Sequence, residues 1–349
     1  MAFPLNWRRD TCTLRAFMKA VVTMLFWLIL ALAGTTASAQ SSSSRVERVH
    51  LFGKEYVRLG DWAGANNFEI RWIKRDESAQ LTKGTTRLVF TTDSKQAQIN
   101  GVNVFLSFPI VAHNGGAYIA QLDLQTVMQP VLFPPKNKTG AKIRTICLDP
   151  GHGGKQTGTL NGRQQEKKYT LLLAQEVRDQ LTRAGVKVTL TRTTDTLIDL
   201  PVRSELARRR NADLFVSLHF NGANGSRNEV KGIEVYCLTP SGASSTNARG
   251  EGGGAGPAPG NRNNEKNMFL AFQVHKSLVK SLPTEDRGLR RARFAVLREA
   301  EMPAVLIEGG YMSHPSESKK IYDPAYRRQM ARAIVDGLLA YKRQVETEK

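Results

Sequence analysis

From residue 49 to 133, apolar and polar positions alternate in short runs. The stretches 55–59, 68–73, 86–90, 97–99, 102–106 and 117–119 read as strands, with Lys83-Gly84, Asn100-Gly101 and Asn114-Gly115-Gly116 as the turns between them. After residue 141 the rhythm changes. The stretches 142–148, 186–191, 214–218, 232–238 and 304–308 read as strands. Between them, apolar residues recur every three or four positions. Leu171, Leu172, Ala174, Val177 and Leu181 predict a helix over 168–184, closed by Gly185, and the same spacing predicts helices over 202–211, 267–281 and 324–343. Strands alternating with helices imply a sheet flanked by helices. The expected architecture is therefore an α/β domain over 142–343, with a mixed sheet of about six strands. A small β-rich module over 49–133 precedes it.

Two stretches fit neither pattern. Pro134, Pro135 and the run Lys136-Asn137-Lys138 predict a stiff basic linker over 134–141. Residues 241–267, with Gly252-Gly253-Gly254 and Pro257-Ala258-Pro259, are too poor in apolar side chains to bury a core. They read either as an inert insertion or as a flap beside a cleft.

The amino terminus sets the compartment. Arg8, Arg9, Arg15 and Lys19 precede an apolar stretch over 20–32, and Ala37-Ser38-Ala39 follows it. This is the order of a secretory signal, read here as residues 1–39. Its apolar core of about 13 residues falls short of the ~20 that a membrane span needs, so no stable span is expected after cleavage. The 349 residues carry 50 Lys+Arg against 31 Asp+Glu, a formal net charge of +19. Such a balance calls for a polyanionic neighbour. An exported chain without an aromatic-basic motif points to the periplasm or cell envelope and its acidic polymers, and not to nucleic acid. Three cysteines exclude a disulfide-dense scaffold; Cys147 and Cys237, both in apolar runs, read as buried thiols.

Candidate chemistry collects at the ends of the predicted strands. One strand runs into Asp149-Pro150-Gly151-His152-Gly153-Gly154, another into Ser217-Leu218-His219-Phe220-Asn221, and a third into Glu308-Gly309-Gly310. Open α/β sheets place ligands at such carboxyl ends. Glu166 opens the first helix after a glycine-rich loop. Two histidines and a glutamate with an open fourth position make the ligand set of a catalytic zinc site, and a remaining glutamate can carry a proton. On residues alone this is a metallohydrolase acting on an exported, wall-linked substrate.

These same residues carry a resemblance. The block Leu148 to Gly154, Glu166-Lys167, Thr191-Arg192 with Asp195, Leu200 and Arg203, the block Ala212 to Asn221, Gly232 to Tyr236, Arg287-Gly288, and Pro303 to Tyr311 resemble the zinc-dependent N-acetylmuramoyl-L-alanine amidases of the amidase-3 family. The resemblance runs from about residue 142 to 343. It implies that His152, Glu166 and His219 bind Zn²⁺ and that Glu308 is the catalytic carboxylate. The implied reaction cleaves the amide between N-acetylmuramic acid and L-alanine of peptidoglycan, in wall remodelling or daughter-cell separation. Asn221, Arg290 and Arg291 are the candidate substrate contacts, and a protein activator is a candidate partner. Lys155 and Gln156 stand where the family commonly has an acidic residue, and Ser313-His314 where an asparagine is usual. Tyr56-Val57, Trp62-Ala63, Trp72, Ile99-Asn100-Gly101 and Tyr118 loosely resemble the copper-amine-oxidase N-terminal-like module, with no copper expected. The competing expectations are another zinc-dependent wall peptidase and a non-catalytic wall-binding protein.

Overall fold

A computed structural model of the chain describes residues 46–346, apart from 224, 226–228 and 247–255. The predicted signal over 1–39 lies outside the described residues. Among these, no helix is long and apolar enough to cross a membrane.

The amino-terminal part forms β1 (Arg48–Leu51), β2 (Lys54–Arg58), α1 (Leu59–Ala65), β3 (Glu69–Lys74), β4 (Ser78–Lys83), β5 (Thr86–Thr91), β6 (Gln96–Ile99), β7 (Val102–Phe105), β8 (Val111–His113), β9 (Gly116–Ala120) and a helical stretch α2 (121–132). The carboxyl-terminal part adds β10 (Thr145–Pro150), the short hairpin β11 (Leu160–Asn161) and β12 (Gln164–Gln165), α3 (Glu166–Arg183), β13 (Lys187–Leu190), α4 (Leu200–Arg209), β14 (Leu214–Asn221) and β15 (Ile233–Leu238). It continues with α5 (Asn264–Ser281), β16 (Asp286–Ala292), α6 (Ala295–Arg298), β17 (Ala304–Tyr311), α7 (Pro315–Tyr322) and α8 (Pro324–Glu346).

Six strands, in the order β13-β10-β14-β17-β15-β16, make the α/β sheet. It is mixed: β10, β13, β14 and β17 pair in parallel, and β15 runs antiparallel to β17. The fold class read from the sequence is the one observed. Alternation along each strand divides the side chains between two layers. Ile146, Leu148, Leu214, Val216, Leu218, Val305 and Ile307 join the main core beneath α3, α5 and α8. Cys147, Phe215, Tyr236, Leu238, Ala304 and Leu306 face a smaller cluster with Ala207 of α4 and Val296 and Leu297 of α6. Residues 219, 234 and 308 lie in phase with this second set. The side facing the short helices α4 and α6 is thus where a cleft can open. Cys147 and Cys237 are free and buried.

The two parts are not separated as the sequence pattern suggested. β16 pairs in parallel with β7, through Leu289 and Val104, and the sheet continues through β6, β5, β4 and β3 to eleven strands. Val57, Leu81, Leu88, Val104, Leu270 and Leu338 belong to one core. The 134–141 stretch is tied down as well. Lys136 Nζ donates to the carbonyl of Gln344 at 2.7 Å, and the Asn137 amide donates to that of Val345 at 2.8 Å. The physical reason is β16 itself. Its sequence, Asp286 to Ala292, carries three arginines and lacks the run of apolar residues that marks the other strands of the layer. It is buried because its charges find partners on both sides. Asp286 accepts from the Asn103 amide at 2.8 Å and meets His275 Nε2 at 2.6 Å.

Arg291 is wholly buried, its Nη2 donating to the carbonyl of Thr126 at 2.7 Å. It is also the positive charge near Asp123, which is buried where Ser107 and Phe108 donate their amides to it. Removing the guanidinium would leave the buried carbonyls of Thr126 and Leu238 without their donor, at a cost of about 1–3 kcal/mol for a buried group left unpaired. Arg291→Ala should therefore lower unfolding stability by at least about 1–3 kcal/mol in a urea titration. A loss near zero would mean that α2 and β16 are not held by this side chain.

Candidate metal centre

The sheet register assembles the site. On β14 and β17, His219 lies opposite Glu308, and on β17 and β15, Glu308 lies opposite Glu234. Residues directly opposite across a ladder project to the same face. His219, Glu308 and Glu234 therefore form one row, toward the second of the two layers. The β10 strand delivers His152 from the neighbouring strand end, and Glu166 arrives as the first residue of α3.

His152, Glu166 and His219 each offer a ligand atom, all within 4.8 Å of one another. Glu166 Oε1 lies 3.1 Å from His152 Nε2 and 2.9 Å from His219 Nδ1. The backbone completes its hold: the Phe220 amide donates to Oε1 at 3.1 Å and the Thr159 amide to Oε2 at 2.8 Å. Burial alone would raise the Glu166 carboxyl, but the two histidines outweigh it and hold the acid below the usual carboxylate range. Two glycines make room for this packing. A Cβ on Gly151 would lie 2.2 Å from the His219 ring, and one on Gly158 would lie 2.4 Å from Glu166 Oε2. At these positions any side chain would occupy the place of a ligand.

His152 itself sits at φ 60°, the left-handed region that non-glycine residues seldom adopt. Two buried arginines hold the loop in that shape. Arg203 donates to the carbonyls of His152 at 2.9 Å and Pro150 at 3.0 Å, and pairs with buried Asp149 at 2.8 Å. Arg192 donates to the carbonyls of Pro150, Gly151 and Lys167. Asp149 also accepts from Thr191 Oγ1 at 2.6 Å and Ser217 Oγ at 2.8 Å.

The histidines and Glu308 line a cleft of about 550 Å³. Its walls differ. Leu200, Phe294, Val296 and Leu306 make an apolar side; Gln156, Thr159 and Asn221 make a polar one. Glu308 Oε2 is buried with no hydrogen-bond partner. Burial, with Glu166 and Glu234 nearby, pushes its carboxyl well above the ordinary value. Three converging donors beside an unpartnered carboxylate form a donor set suited to a divalent cation of borderline softness.

The other candidates fall differently. Asn221 lines the cleft. Arg290 does not reach it: its Nε lies 3.4 Å from Glu234, and its guanidinium sits 4.2 Å over the Phe105 ring. Arg291, expected as a substrate contact, is buried between α2 and β15 and has no access to solvent. The 241–267 stretch is in part ordered structure: Ala243, Ser245 and Gly260 are buried, and α5 begins at Asn264. Residues 247–255 of it lie outside the described residues. Glu234, which receives no role in the sequence reading, is the buried carboxylate next to Glu308. Its one sequence signal is a charge in the apolar run Ile233-Glu234-Val235-Tyr236.

A carboxyl that is raised in the folded state favours folding when protonated and opposes it once ionised. The native protein without metal should therefore lose stability as pH rises above the ordinary carboxylate range. Glu308→Gln escapes that loss. In the presence of a chelator its melting temperature should exceed that of the wild type at pH 7–8, by about 2–4 °C for each kcal/mol relieved. The gap should close toward pH 4. A gap that is constant with pH would refute this account of Glu308.

A family model described as N-acetylmuramoyl-L-alanine amidase matches residues 146–340, and one described as the copper amine oxidase N-terminal domain matches residues 44–129. Over 230 residues the chain is 33% identical to N-acetylmuramoyl-L-alanine amidase AmiC of Neisseria meningitidis, covering 60% of this chain and 55% of that one. Over 240 residues it is 32% identical to N-acetylmuramoyl-L-alanine amidase AmiA of Salmonella typhimurium, covering 62% of this chain and 82% of that one. Among solved structures, AmiC2 of Nostoc punctiforme is 33% identical, with a TM-score of 0.48, over 58% of this chain and 98% of that one.

Proposed function

The chain belongs to the N-acetylmuramoyl-L-alanine amidase family, whose members act in peptidoglycan and cell-wall turnover, and we propose that its cleft hydrolyses the amide between the lactyl group of N-acetylmuramic acid and L-alanine of the stem peptide. The observation that carries this reading is the convergence of His152, Glu166 and His219 within 4.8 Å, beside the unpartnered oxygen of Glu308. In this reading His152, Glu166 and His219 hold Zn²⁺. When bound, zinc supplies two positive charges and a Lewis acid that polarises the scissile carbonyl and acidifies water. Glu308 takes a proton from the attacking water and returns it to the departing alanine nitrogen. Glu166, fixed by two backbone amides, keeps its carboxylate aimed between the two imidazoles. Arg203 and Asp149 hold the His152 loop in its left-handed turn. Nothing in the ligand set requires a side chain from residues 46–133, so the catalytic part is assigned to 142–343. The amino-terminal module serves wall positioning. Export to the envelope is supported by the pattern of residues 1–39 and by the basic charge of the chain.

The assignment separates two kinds of variant. His152→Ala and His219→Ala should each lose bound zinc and activity together. Glu308→Gln keeps every ligand and should retain about one zinc per chain while losing ~10²–10⁴ in rate. Metal analysis beside turnover of purified wall reads both. Near-normal turnover by Glu308→Gln would remove it from the chemistry. Products other than free stem peptides ending in an L-alanine amine would exclude the amidase reading.

A further inference from the structure

Glu234 is 3% exposed and lies opposite Glu308 in the sheet. Every neighbour in reach donates to it. Its Oε1 meets Arg287 Nε at 2.8 Å, Arg290 Nε at 3.4 Å and the Tyr311 hydroxyl at 3.3 Å. Its Oε2 accepts from the Tyr236 hydroxyl at 2.8 Å and from Asn221 Nδ2 at 3.1 Å. Arginine side chains have only donors, so Glu234 is held as an acceptor on both oxygens. That settles which way Asn221 faces. A side-chain amide has one donor end and one acceptor end, and Glu234 takes the donor end. The carbonyl Oδ1 must point away from Glu234. Asn221 lines the cleft with His152, His219 and Glu308, and among the described residues its Oδ1 accepts no hydrogen bond.

We infer that Asn221 Oδ1 accepts the N–H of the scissile amide, and that Glu234 is the positioning residue that turns the Asn221 amide to do so. This rests on the amidase reading. Around the scissile bond of that substrate, the lactyl ether oxygen and the carbonyl oxygen only accept, and the amide nitrogen is the nearest donor. Holding its N–H fixes the direction in which the nitrogen lone pair develops as the bond breaks, and that lone pair must receive the proton carried by Glu308. The interaction discriminates by chemistry: an oxygen in place of the N–H leaves Asn221 with nothing to accept.

The test uses the full-length exported chain and two soluble muropeptides, one with the natural amide and one with an ester at the scissile position. Asn221→Ala should lower kcat/KM on the amide roughly tenfold, the usual size for one neutral hydrogen bond, with the ester unchanged within about twofold. Its zinc content should equal that of the wild type. Glu234→Gln can present a donor of its own to Asn221 and release the amide orientation. It should shift the amide-to-ester ratio in the same direction, and Asn221→Ala/Glu234→Gln should shift it no further than Asn221→Ala alone. Equal losses on both substrates, or none on the amide, would overturn the role of Asn221. An unchanged ratio in folded Glu234→Gln would overturn that of Glu234. Should Glu234→Gln fail to fold, Asn221→Ala, half-exposed in the cleft, still decides. A wild type that cleaves neither substrate would instead refute the amidase reading itself.

Discussion

Burying negative charge is the constraint around which this cleft is built. Carboxylates of four side chains crowd the strands β10, β17 and β15 and the start of α3, where each one taken from water costs several kcal/mol unless it is paired or protonated. Three of the four are compensated in different ways. Asp149 has Arg203 and two hydroxyls. Glu234 has two arginines, two tyrosines and an amide. Glu166 has two imidazoles and two backbone amides. Glu308 stands among them with an oxygen that nothing satisfies. An unmade hydrogen bond in a well-packed site is a cost that the rest of the fold must cover. It leaves Glu308 as the group whose protonation is free to respond to whatever enters the cleft.

That arrangement divides labour between rigidity and reactivity. The ionic partners of Asp149 and Glu234 are arginines, which stay charged over all ordinary pH and whose geometry fixes several neighbours at once. They shape the His152 loop on one side and the Asn221 wall on the other. The two imidazoles of the proposed metal site, and Glu308 in its proposed proton-carrying role, make no side-chain contact with an arginine among the described residues. A titrating group fixed by an arginine would have its proton affinity set by that partner. Here the fixed charges sit one step back.

Much of this could be read from the chain, and the part that could not has a physical reason. His152, His219 and Glu308 were visible because they recur, with Glu166, at the ends of separate elements, where any one of them alone would read as structural. Glu166 stood out as an acid opening a helix. Glu234 was not visible, because an acid in the middle of Ile233-Glu234-Val235-Tyr236 shows its purpose only when the register places it beside Glu308. β16 was missed for a related reason. Asp286-Arg287-Gly288-Leu289-Arg290-Arg291-Ala292 has the composition of a solvated face, and only pairing to β7 and β15 turns its arginines inward. The copper-amine-oxidase-like pattern, in contrast, was carried by aromatic and turn residues that are locally readable, and the matching family model covers 44–129. Local pattern conveyed strands and turns; long-range partnership of charges was beyond it.

The same partnership explains why the amino-terminal module cannot be treated as a detachable appendage. In the sheet order, β16 would be the edge strand of the six-stranded α/β layer, and an exposed edge offers unpaired amides and carbonyls to other chains. β7 covers that edge, and the covering is specific. Arg290 stacks on Phe105, Asn103 donates to Asp286, and Arg291 reaches Thr126. Arg290 is also a partner of Glu234. The chain of contacts from Phe105 through Arg290 and Glu234 to Asn221 therefore runs from the module to the wall of the cleft without a gap. The relatives in Neisseria and Salmonella match this chain over 60% and 62% of its length. The residues of the proposed metal site, His152, Glu166 and His219, all lie on the carboxyl-terminal side of that edge. The module's contribution is structural at its nearest point: by closing the β16 edge, it holds in place the arginine that helps to keep Glu234, and so Asn221, aligned.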